Sequence, residues 1–265
     1  MHKILVNGIE VNYRFDGPEN ARVVMMSNSL MSNYSMWDST LPALTKRYRV
    51  LRYDTRGHGA TQATPPPYSI AQLAEDAAAL IKALDVGPVH FMGLSMGGMI
   101  AQYLGANYPE LIYSLSLCDT ASEMPPRSLW AERLQTAQTQ GISGLVDGTI
   151  KRWFNKAFIE RAPQEIEKVR AMILGTGVEG YTGCASAVRD MAQTTMLLKI
   201  KAPTLVITGR QDPACTIDQA LVLHKVIDHS KFVIIEDAAH LANIEQPEQF
   251  NKLIRDFIDS VDDKL

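Results

Sequence analysis

The stretch HFMGLSMGGMI, residues 90–100, decides the fold, because it isolates one serine among glycines directly after an apolar run. Its centre, GLSMG at residues 93–97, matches the pattern G-x-S-x-G. Between a strand and a helix, this pattern places the serine on a tight, strained turn with its hydroxyl projecting from the sheet. Side chains at the glycine positions would collide there. The pattern predicts that Ser95 is a nucleophile; a glycine-rich helix start with Ser95 as N-cap is the alternative.

The chain on both sides of this stretch alternates between strand and helix patterns. Short apolar runs at residues 22–27, 48–54 and 89–94 are suited to strands buried on both faces of a parallel sheet. A helix is expected between the first two runs, at residues 36–48. Residues 70–84 carry apolar side chains on one helical face and form the most distinct helix pattern. Such alternation predicts right-handed crossovers and a parallel sheet with helices on both faces.

The alternation stops at residues 121–196, where the pattern is mostly helical and contains no convincing strand. It returns with the apolar run at residues 202–209 and continues to the end of the chain. A helical insertion in such a chain is typical of a cap over the carboxyl ends of the strands, where open sheets bind ligands. We therefore expect a core formed by residues 1–120 and 197–265 and a helical cap formed by residues 121–196.

Composition narrows the class of protein and of partner. The 265 residues are 46% hydrophobic and 21% charged with a net charge of -3, which argues against a sequence-independent grip on nucleic acid or anionic lipid. Three cysteines without C-x-x-C spacing suggest neither a disulfide framework nor a zinc site. No secretory signal and no membrane-spanning apolar run is recognisable. We expect a cytoplasmic protein that acts on small molecules; its oligomeric state cannot be deduced.

A serine hydroxyl needs a base, and the base needs an acid that orients it. His240 follows the last predicted strand and precedes the final helix, so it should emerge at the same sheet edge as Ser95. Asp212 follows the end of the preceding strand, after a turn at Gly209, and completes the chain order serine, aspartate, histidine. Asp119 also follows a core strand at this edge and is the competing acid. We favour Asp212, because its loop should lie next to the His240 loop.

Acyl transfer also needs donors where negative charge develops on the carbonyl oxygen. Met96, the residue after the nucleophile, offers one backbone N–H at a helix start. The second donor should come from the loop that follows residues 22–27. Leu30 in that loop is the candidate, and since the donor is a backbone group it tolerates a change of side chain.

Several further stretches are distinctive: SNSL followed by SMW, RVLRYDTRGHG, GLSMGG, RWF, EGY and NIE. With these stretches the chain resembles the α/β-hydrolase fold family over nearly its whole length, and several of them resemble its 3-oxoadipate enol-lactonase branch. The resemblance implies a mostly parallel eight-stranded sheet with helices on both faces and a helical cap insertion. Met31 departs from the glycine usual in those lactonases, and Asp119 departs from a common asparagine.

The resemblance implies that Ser95 attacks the ring ester of an enol-lactone and that the enolate leaves as a ketone. No metal and no organic cofactor is expected, because the leaving group is good and backbone dipoles polarise the carbonyl. Such a substrate carries a free carboxylate. Arg152 is the candidate partner for it, with Trp130 and Trp153 as apolar walls; solvated or purely packing roles are the alternative. For Asp54, Arg56 and His58 in the DTRGHG turn a structural role is favoured.

Other functions would share these catalytic residues. A general carboxylesterase, an acyl-homoserine-lactone lactonase and a carbon–carbon bond hydrolase differ from an enol-lactonase only in the shape of the pocket. A ligand receptor that keeps the three residues and signals through its cap is the alternative from another class. Multiple turnovers favour an enzyme, whereas a single slow turnover with trapped ligand favours a receptor.

Overall fold

The centre of the molecule is one eight-stranded sheet within residues 2–265, the part of the chain that the computed structural model describes. Three of its strands, β3, β5 and β7, are buried along their whole length, which explains their continuous apolar sequence. The strands are β1 (His2–Val6), β2 (Ile9–Asp16), β3 (Val23–Ser27), β4 (Arg49–Tyr53), β5 (Val89–Leu94), β6 (Ile112–Cys118), β7 (Thr204–Gly209) and β8 (Lys231–Ile235).

The strand order is β1-β2-β4-β3-β5-β6-β7-β8. Strand β2 pairs antiparallel with both β1 and β4, and β3 to β8 run parallel to one another. A tight turn with positive φ at Asn7 and Gly8 joins β1 to β2, as a two-residue hairpin requires. The sheet confirms the predicted α/β fold class with eight mostly parallel strands. The carboxyl ends of β3, β5, β6, β7 and β8 therefore meet at one edge.

Helices connect the parallel strands and fill the segment between β6 and β7. Helix α2 begins at the predicted place, where the Ser69 hydroxyl accepts a hydrogen bond from the Gln72 N–H. The helices are α1 (Leu41–Leu44), α2 (Ile70–Ala83), α3 (Met96–Asn107), α4 (Arg127–Gln140), α5 (Val146–Trp153), α6 (Lys156–Arg161), α7 (Pro163–Leu174), α8 (Val178–Asp190), α9 (Ile217–Val226), α10 (Ala242–Glu245) and α11 (Pro247–Asp262).

One expected helix is much shorter than predicted. The structure has a 3-10 turn at Tyr34–Trp37 and then α1, instead of one helix over residues 36–48. Pro42 lies in the first turn of α1, since proline lacks the N–H that an earlier helical turn would need. The prediction of a single long helix was wrong for this reason.

The segment of residues 121–196, here called the cap, contains helices α4 to α8. Its only extended pairing within residues 2–265 is an isolated bridge between Glu123 and Ala192. Buried apolar residues of the cap and of the sheet belong to one continuous cluster. The division into core and cap units stays a prediction. No helix in the described part of the chain is both long and apolar enough to cross a membrane.

Candidate active site

Ser95 lies on a strained turn between β5 and α3. Its φ of 56° and ψ of -117° are backbone angles that a residue with a side chain rarely adopts. The neighbouring glycines permit this turn: a Cβ on Gly93 would lie 2.1 Å from the Gly97 carbonyl oxygen, and a Cβ on Gly97 would lie 2.1 Å from the carbonyl oxygen of Ser27. Any larger residue at either position would therefore open the turn.

The turn is tied to the end of β6 from both sides. The Ser95 N–H donates to the carbonyl of Cys118 at 2.9 Å. The Thr120 hydroxyl donates to the carbonyl of Ser95 at 2.7 Å. These bonds hold the serine in place in spite of its backbone strain.

Asp212 and His240 form a buried hydrogen-bonded pair. Asp212 Oδ2 lies 2.8 Å from His240 Nδ1, and neither side chain is more than 3% exposed. The second oxygen, Oδ1, accepts from the N–H groups of Ala214 and Cys215 at 2.7 and 3.0 Å. With both oxygens occupied, the carboxylate fixes the imidazole so that Nδ1 faces the acid and Nε2 is left for another partner.

Ser95 and His240 line the same cavity. Within residues 2–265 no hydrogen bond joins the Ser95 hydroxyl to His240. Such bonds are commonly long until substrate binds. The structure thus brings the predicted nucleophile, base and acid to one place at the sheet edge.

Asp119, the competing acid, lies at the end of β6 and contacts a different partner. It is fully buried with φ of 44°, and its Oδ1 accepts from the Gly209 N–H at 2.7 Å. Its Oδ2 has no hydrogen-bond partner within residues 2–265. Burial raises the pKa of Asp119 well above that of an ordinary carboxyl, and the nearby charge of Asp212 raises it further. Of the two acids, only Asp212 is hydrogen-bonded to the imidazole.

The loop after β3 presents one free amide at the cavity. The Ser29 N–H points to Met36 Sδ at 3.4 Å, and the Met31 N–H donates to His58 Nε2 at 3.0 Å. Between them, the N–H of Leu30 has no acceptor within the described residues, and neither has that of Met96 at the first turn of α3. Two free backbone N–H donors therefore lie beside the Ser95 turn, as an oxyanion site needs.

Asn28 stabilises this loop. Its Nδ2 donates to the carbonyl of Tyr53 at 2.7 Å, and its Oδ1 accepts from the indole N–H of Trp37 at 2.9 Å. The asparagine is buried, so these bonds satisfy an otherwise costly polar group. The SNSL stretch thus provides a rigid connection between β3 and the cavity.

All three residues that the sequence suggested for substrate binding line this cavity: Trp130, Arg152 and Trp153. The Trp153 ring lies 6.5 Å from the His240 ring, and its carbonyl accepts from the Leu241 N–H at 3.0 Å. This bond joins the end of α5 to the histidine loop. The cap therefore supplies one wall of the cavity and holds the loop that carries His240.

Arg133 is a cavity residue that sequence reasoning missed. It belongs to α4, lines the same cavity as Arg152 and lies with its guanidinium carbon 4.8 Å from the centre of the Trp130 ring. Burial lowers the pKa of Arg133 and lowers that of Arg152 to about 10, with Arg133 as a further cause for Arg152. Within residues 2–265 neither arginine forms a salt bridge. The only sequence signal for Arg133 was its position three residues after the candidate Trp130.

Glu245, the last residue of the NIE stretch, has a role that the sequence did not reveal. This buried carboxylate accepts hydrogen bonds from the N–H groups of Ala239 and, at 2.8 Å, Asn155. Burial raises the pKa of Glu245. Because it joins the residue before His240 to the end of α5, it helps to position the histidine loop.

One group of side chains could ligate a metal ion by distance alone. Ligand atoms of Asp212, Cys215 and His240 lie within 4.8 Å of one another. However, His240 Nδ1 is already bonded to Asp212, and burial raises the pKa of Cys215, so the thiol keeps its proton. The donor set therefore fits an orienting hydrogen-bond network better than a metal centre.

Comparison with known proteins gives consistent matches over nearly the whole chain. A family model described as alpha/beta hydrolase fold matches residues 22–247. A 3-oxoadipate enol-lactonase of Acinetobacter baylyi is 35% identical over 93% of this chain and 92% of its own. The crystal structure of the enol-lactonase from Burkholderia xenovorans LB400 superposes with a TM-score of 0.95 at 37% identity, covering 97% of this chain and 99% of its own. A thermophilic esterase from Thermogutta terrifontis superposes with a TM-score of 0.92 at 27% identity, covering 98% and 99%.

Proposed function

The chain belongs to the alpha/beta hydrolase fold family, and from this premise we propose that it is a serine hydrolase that opens a carboxylate-bearing enol-lactone of the 3-oxoadipate type. One observation carries the proposal. A single cavity joins Ser95 and His240 at the sheet edge to two arginines of the cap that have no acidic partner among the described residues. The first pair suits ester chemistry, and the second pair suits an anionic substrate.

The geometry supports attack by Ser95 on the lactone carbonyl. His240, oriented through Nδ1 by Asp212, accepts the serine proton at Nε2. The N–H groups of Leu30 and Met96 bind the negative oxygen that forms. The ring carbon–oxygen bond then breaks, and the enolate that leaves takes the proton from the His240 imidazolium and becomes a ketone, while the acyl group stays on Ser95 and His240 is neutral again.

Water completes the reaction. His240 takes a proton from a water molecule, which attacks the acyl carbon, and the Ser95 oxygen leaves and recovers its proton from the imidazole. No other group needs to enter the balance: one lactone and one water yield one keto acid. A turn under backbone strain suits the serine, since the fold holds the attacking oxygen in position before substrate arrives.

Charge supports an anionic substrate. The charge of Arg133 disfavours the charged form of Arg152 inside a cavity whose lining includes no aspartate or glutamate of the described residues. Arg152 donates only to the Thr149 hydroxyl, at 3.0 Å, within this part of the chain. A substrate carboxylate would relieve the repulsion and gain charge-assisted hydrogen bonds from both guanidinium groups.

Hydrolysis by purified protein tests the nucleophile. We expect an enol-lactone to be hydrolysed with many turnovers and simple aryl esters more slowly, and Ser95→Ala to lose essentially all activity while it unfolds at the wild-type temperature. Substantial activity of Ser95→Ala would refute the assignment of the nucleophile. Faster cleavage of neutral aryl esters or homoserine lactones would replace the enol-lactone with that substrate, and a single slow turnover would favour a receptor.

A second comparison tests the carboxylate site. We expect Arg133→Met and Arg152→Met each to raise KM for a carboxylate-bearing lactone by about 10-fold or more, because a hydrogen bond to a charged group contributes about 1.5–3 kcal/mol. KM for a neutral aryl ester should change little. An equal rise for both substrates would contradict a carboxylate site.

That the protein acts in the cytoplasm stays a prediction.

A further inference from the structure

His58 lies in the turn formed by residues 54–61, and both of its ring nitrogens have a hydrogen-bond partner. Its side chain is buried, with 1% of the residue exposed. Nε2 accepts from the Met31 N–H at 3.0 Å, and Nδ1 lies 3.2 Å from the Arg56 carbonyl oxygen. Since Nε2 accepts, the ring proton must be on Nδ1, where it is donated to the carbonyl. Burial lowers the pKa of His58 to about 4, so the ring stays neutral near neutral pH.

The contact to Met31 fixes the peptide plane that directly follows the candidate oxyanion donor, the Leu30 N–H. Met31 follows Leu30 directly, and the Leu30 carbonyl and Met31 N–H share one peptide plane. Met31 has φ of 64°, in the left-handed region that is unfavourable for a residue with a side chain. Such a conformation persists only where its surroundings enforce it. The hydrogen bond that His58 accepts provides this constraint.

The same turn holds the loop at a second point. Asp54 Oδ1 accepts from the Tyr34 N–H at 2.8 Å, and its Oδ2 accepts from Asn12 Nδ2 at 2.7 Å and from the Ala60 N–H at 3.0 Å. The loop that carries Leu30 is therefore attached to residues 54–61 at two points, Met31 and Tyr34. The Leu30 N–H, directly before the first attachment, is left for a ligand.

We propose that His58 is a positioning residue for the reaction, which fixes the Leu30 N–H in the oxyanion site through its hydrogen bond to the Met31 N–H. The inference rests on the proposed serine-hydrolase function. It assigns a function to the histidine of the DTRGHG turn beyond the folding of the turn itself. The residue touches no substrate and acts only through the loop.

Two matched variants separate the two bonds of His58. In His58→Gln the side-chain oxygen can occupy the position of Nε2 and accept from the Met31 N–H. In His58→Asn the shorter amide reaches only the position of Nδ1, so it keeps the bond to the Arg56 carbonyl and loses the bond to Met31. A role limited to folding of the turn predicts that Asn is tolerated at least as well as Gln.

The experiment measures 4-nitrophenyl acetate hydrolysis, the inhibition constant of 2,2,2-trifluoroacetophenone and thermal unfolding for both variants and the wild type. We expect His58→Asn to lower kcat by about 10- to 100-fold with little change in KM, which is less than the roughly 10²- to 10³-fold cost of deleting a donor. Affinity for the ketone, whose serine adduct has an oxyanion, should fall by the same factor. His58→Gln should retain most of both.

Three results would overturn the inference. His58→Asn could equal the wild type, the two variants could lose activity equally, or the loss could appear in KM with unchanged ketone affinity. If the wild type neither cleaves the ester nor binds the ketone, the proposed function itself fails and the inference fails with it. A wild type that does both, beside an unaffected His58→Asn, rejects the inference alone.

A measurement on the wild-type protein covers the case in which the variants do not fold. Imidazole ¹⁵N chemical shifts distinguish the neutral Nδ1–H form, the neutral Nε2–H form and the doubly protonated form. We expect His58, assigned by single substitution of the other histidines, to be in the Nδ1–H form at neutral pH. Either of the other forms would rule out acceptance from Met31 and overturn the proposal.

Discussion

At the scale of single residues, the molecule holds two buried acids at neighbouring strand ends and uses them differently. Asp212 bonds the imidazole of His240, and its second oxygen is satisfied by backbone N–H groups. Asp119 bonds the Gly209 N–H and has one oxygen without a partner among the described residues, in a fully buried site. Burial without a partner for one oxygen raises the pKa of Asp119, so a protonated carboxyl suits this second environment.

Substitution by asparagine should separate the two acids kinetically. We expect Asp212→Asn to lower kcat by about 10⁴-fold, because an amide favours the wrong imidazole tautomer. Asp119→Asn keeps the acceptor for the Gly209 N–H, so it should lower kcat by only a small fraction of that factor. Steady-state hydrolysis by both variants checks this, and the reverse order would assign to Asp119 the role of the acid that orients His240.

Stability should reveal the proton on Asp119. Its folded pKa lies above the ordinary value of 3.8, so between these two values the unfolded chain has released a proton that the folded protein keeps. Wild-type stability therefore falls as pH rises through this window. An amide does not titrate, so Asp119→Asn should gain stability relative to wild type as pH rises. Urea unfolding at several pH values measures the difference; a difference independent of pH would contradict it.

At the scale of secondary-structure elements, helix α8 of the cap rests directly on the turn that carries His58. Gly180 of α8 meets Gly57, where φ is 72°, and a Cβ on Gly180 would lie 1.9 Å from the Gly57 carbonyl oxygen. The Cys184 thiol of the same helix donates to the Arg56 carbonyl at 3.6 Å. Backbone against backbone leaves no room to adjust, so this contact sets the distance between cap and turn.

A methyl group at this contact should be costly. We expect Gly180→Ala to destabilise the fold by about 1–3 kcal/mol through overpacking. If His58 positions the Leu30 N–H as proposed, the substitution should also lower kcat, because the turn contacts the loop that carries Leu30. Gly175→Ala is the matched control: it lies at the end of α7 with helical φ of -72°, and its new Cβ would approach no atom closer than 3.4 Å. Urea unfolding of both should show a cost for Gly180→Ala alone, and equal effects would refute the close-contact argument.

At the scale of the whole molecule, the cavity exists only because cap and sheet edge are assembled together. Ser95 and His240 lie at the carboxyl edge of the sheet, whereas Arg133, Arg152 and Trp153 belong to residues 121–196. Apolar residues of both parts form one continuous buried cluster. A ligand that bridges the two should therefore stabilise the molecule as a unit.

Calorimetry tests whether the cap and the sheet unfold together. We expect one unfolding transition, and we expect adipate, a dicarboxylate without an ester, to raise its temperature in a concentration-dependent way. In Arg152→Met most of this rise in unfolding temperature should be lost, because the guanidinium group that would bind a carboxylate of adipate is missing. Two separate transitions, or a shift retained in Arg152→Met, would show that the cap unfolds independently or that adipate binds elsewhere.

Local chemistry made much of this site predictable. The G-x-S-x-G spacing marked Ser95, because only a strained turn between strand and helix requires glycines at those two positions. Strand-end positions suggested Asp212 and His240, because carboxyl ends of parallel strands share one edge. By contrast, the sequence pattern of α4 does not reveal that Arg133 faces the cavity, and that of α10 does not reveal that Glu245 bonds the residue before His240.

The sequence by itself determined the parallel sheet, the serine turn and the loops that bear the candidate acid and base. Hydrophobic periodicity and glycine placement depend on neighbours within a few residues, so they can be recognised in the sequence. Tertiary structure alone decided which acid contacts His240, which arginines enter the cavity without an acidic partner among the described residues, and that His58 bonds Met31. Each of these depends on packing between segments far apart in sequence, which no local pattern encodes.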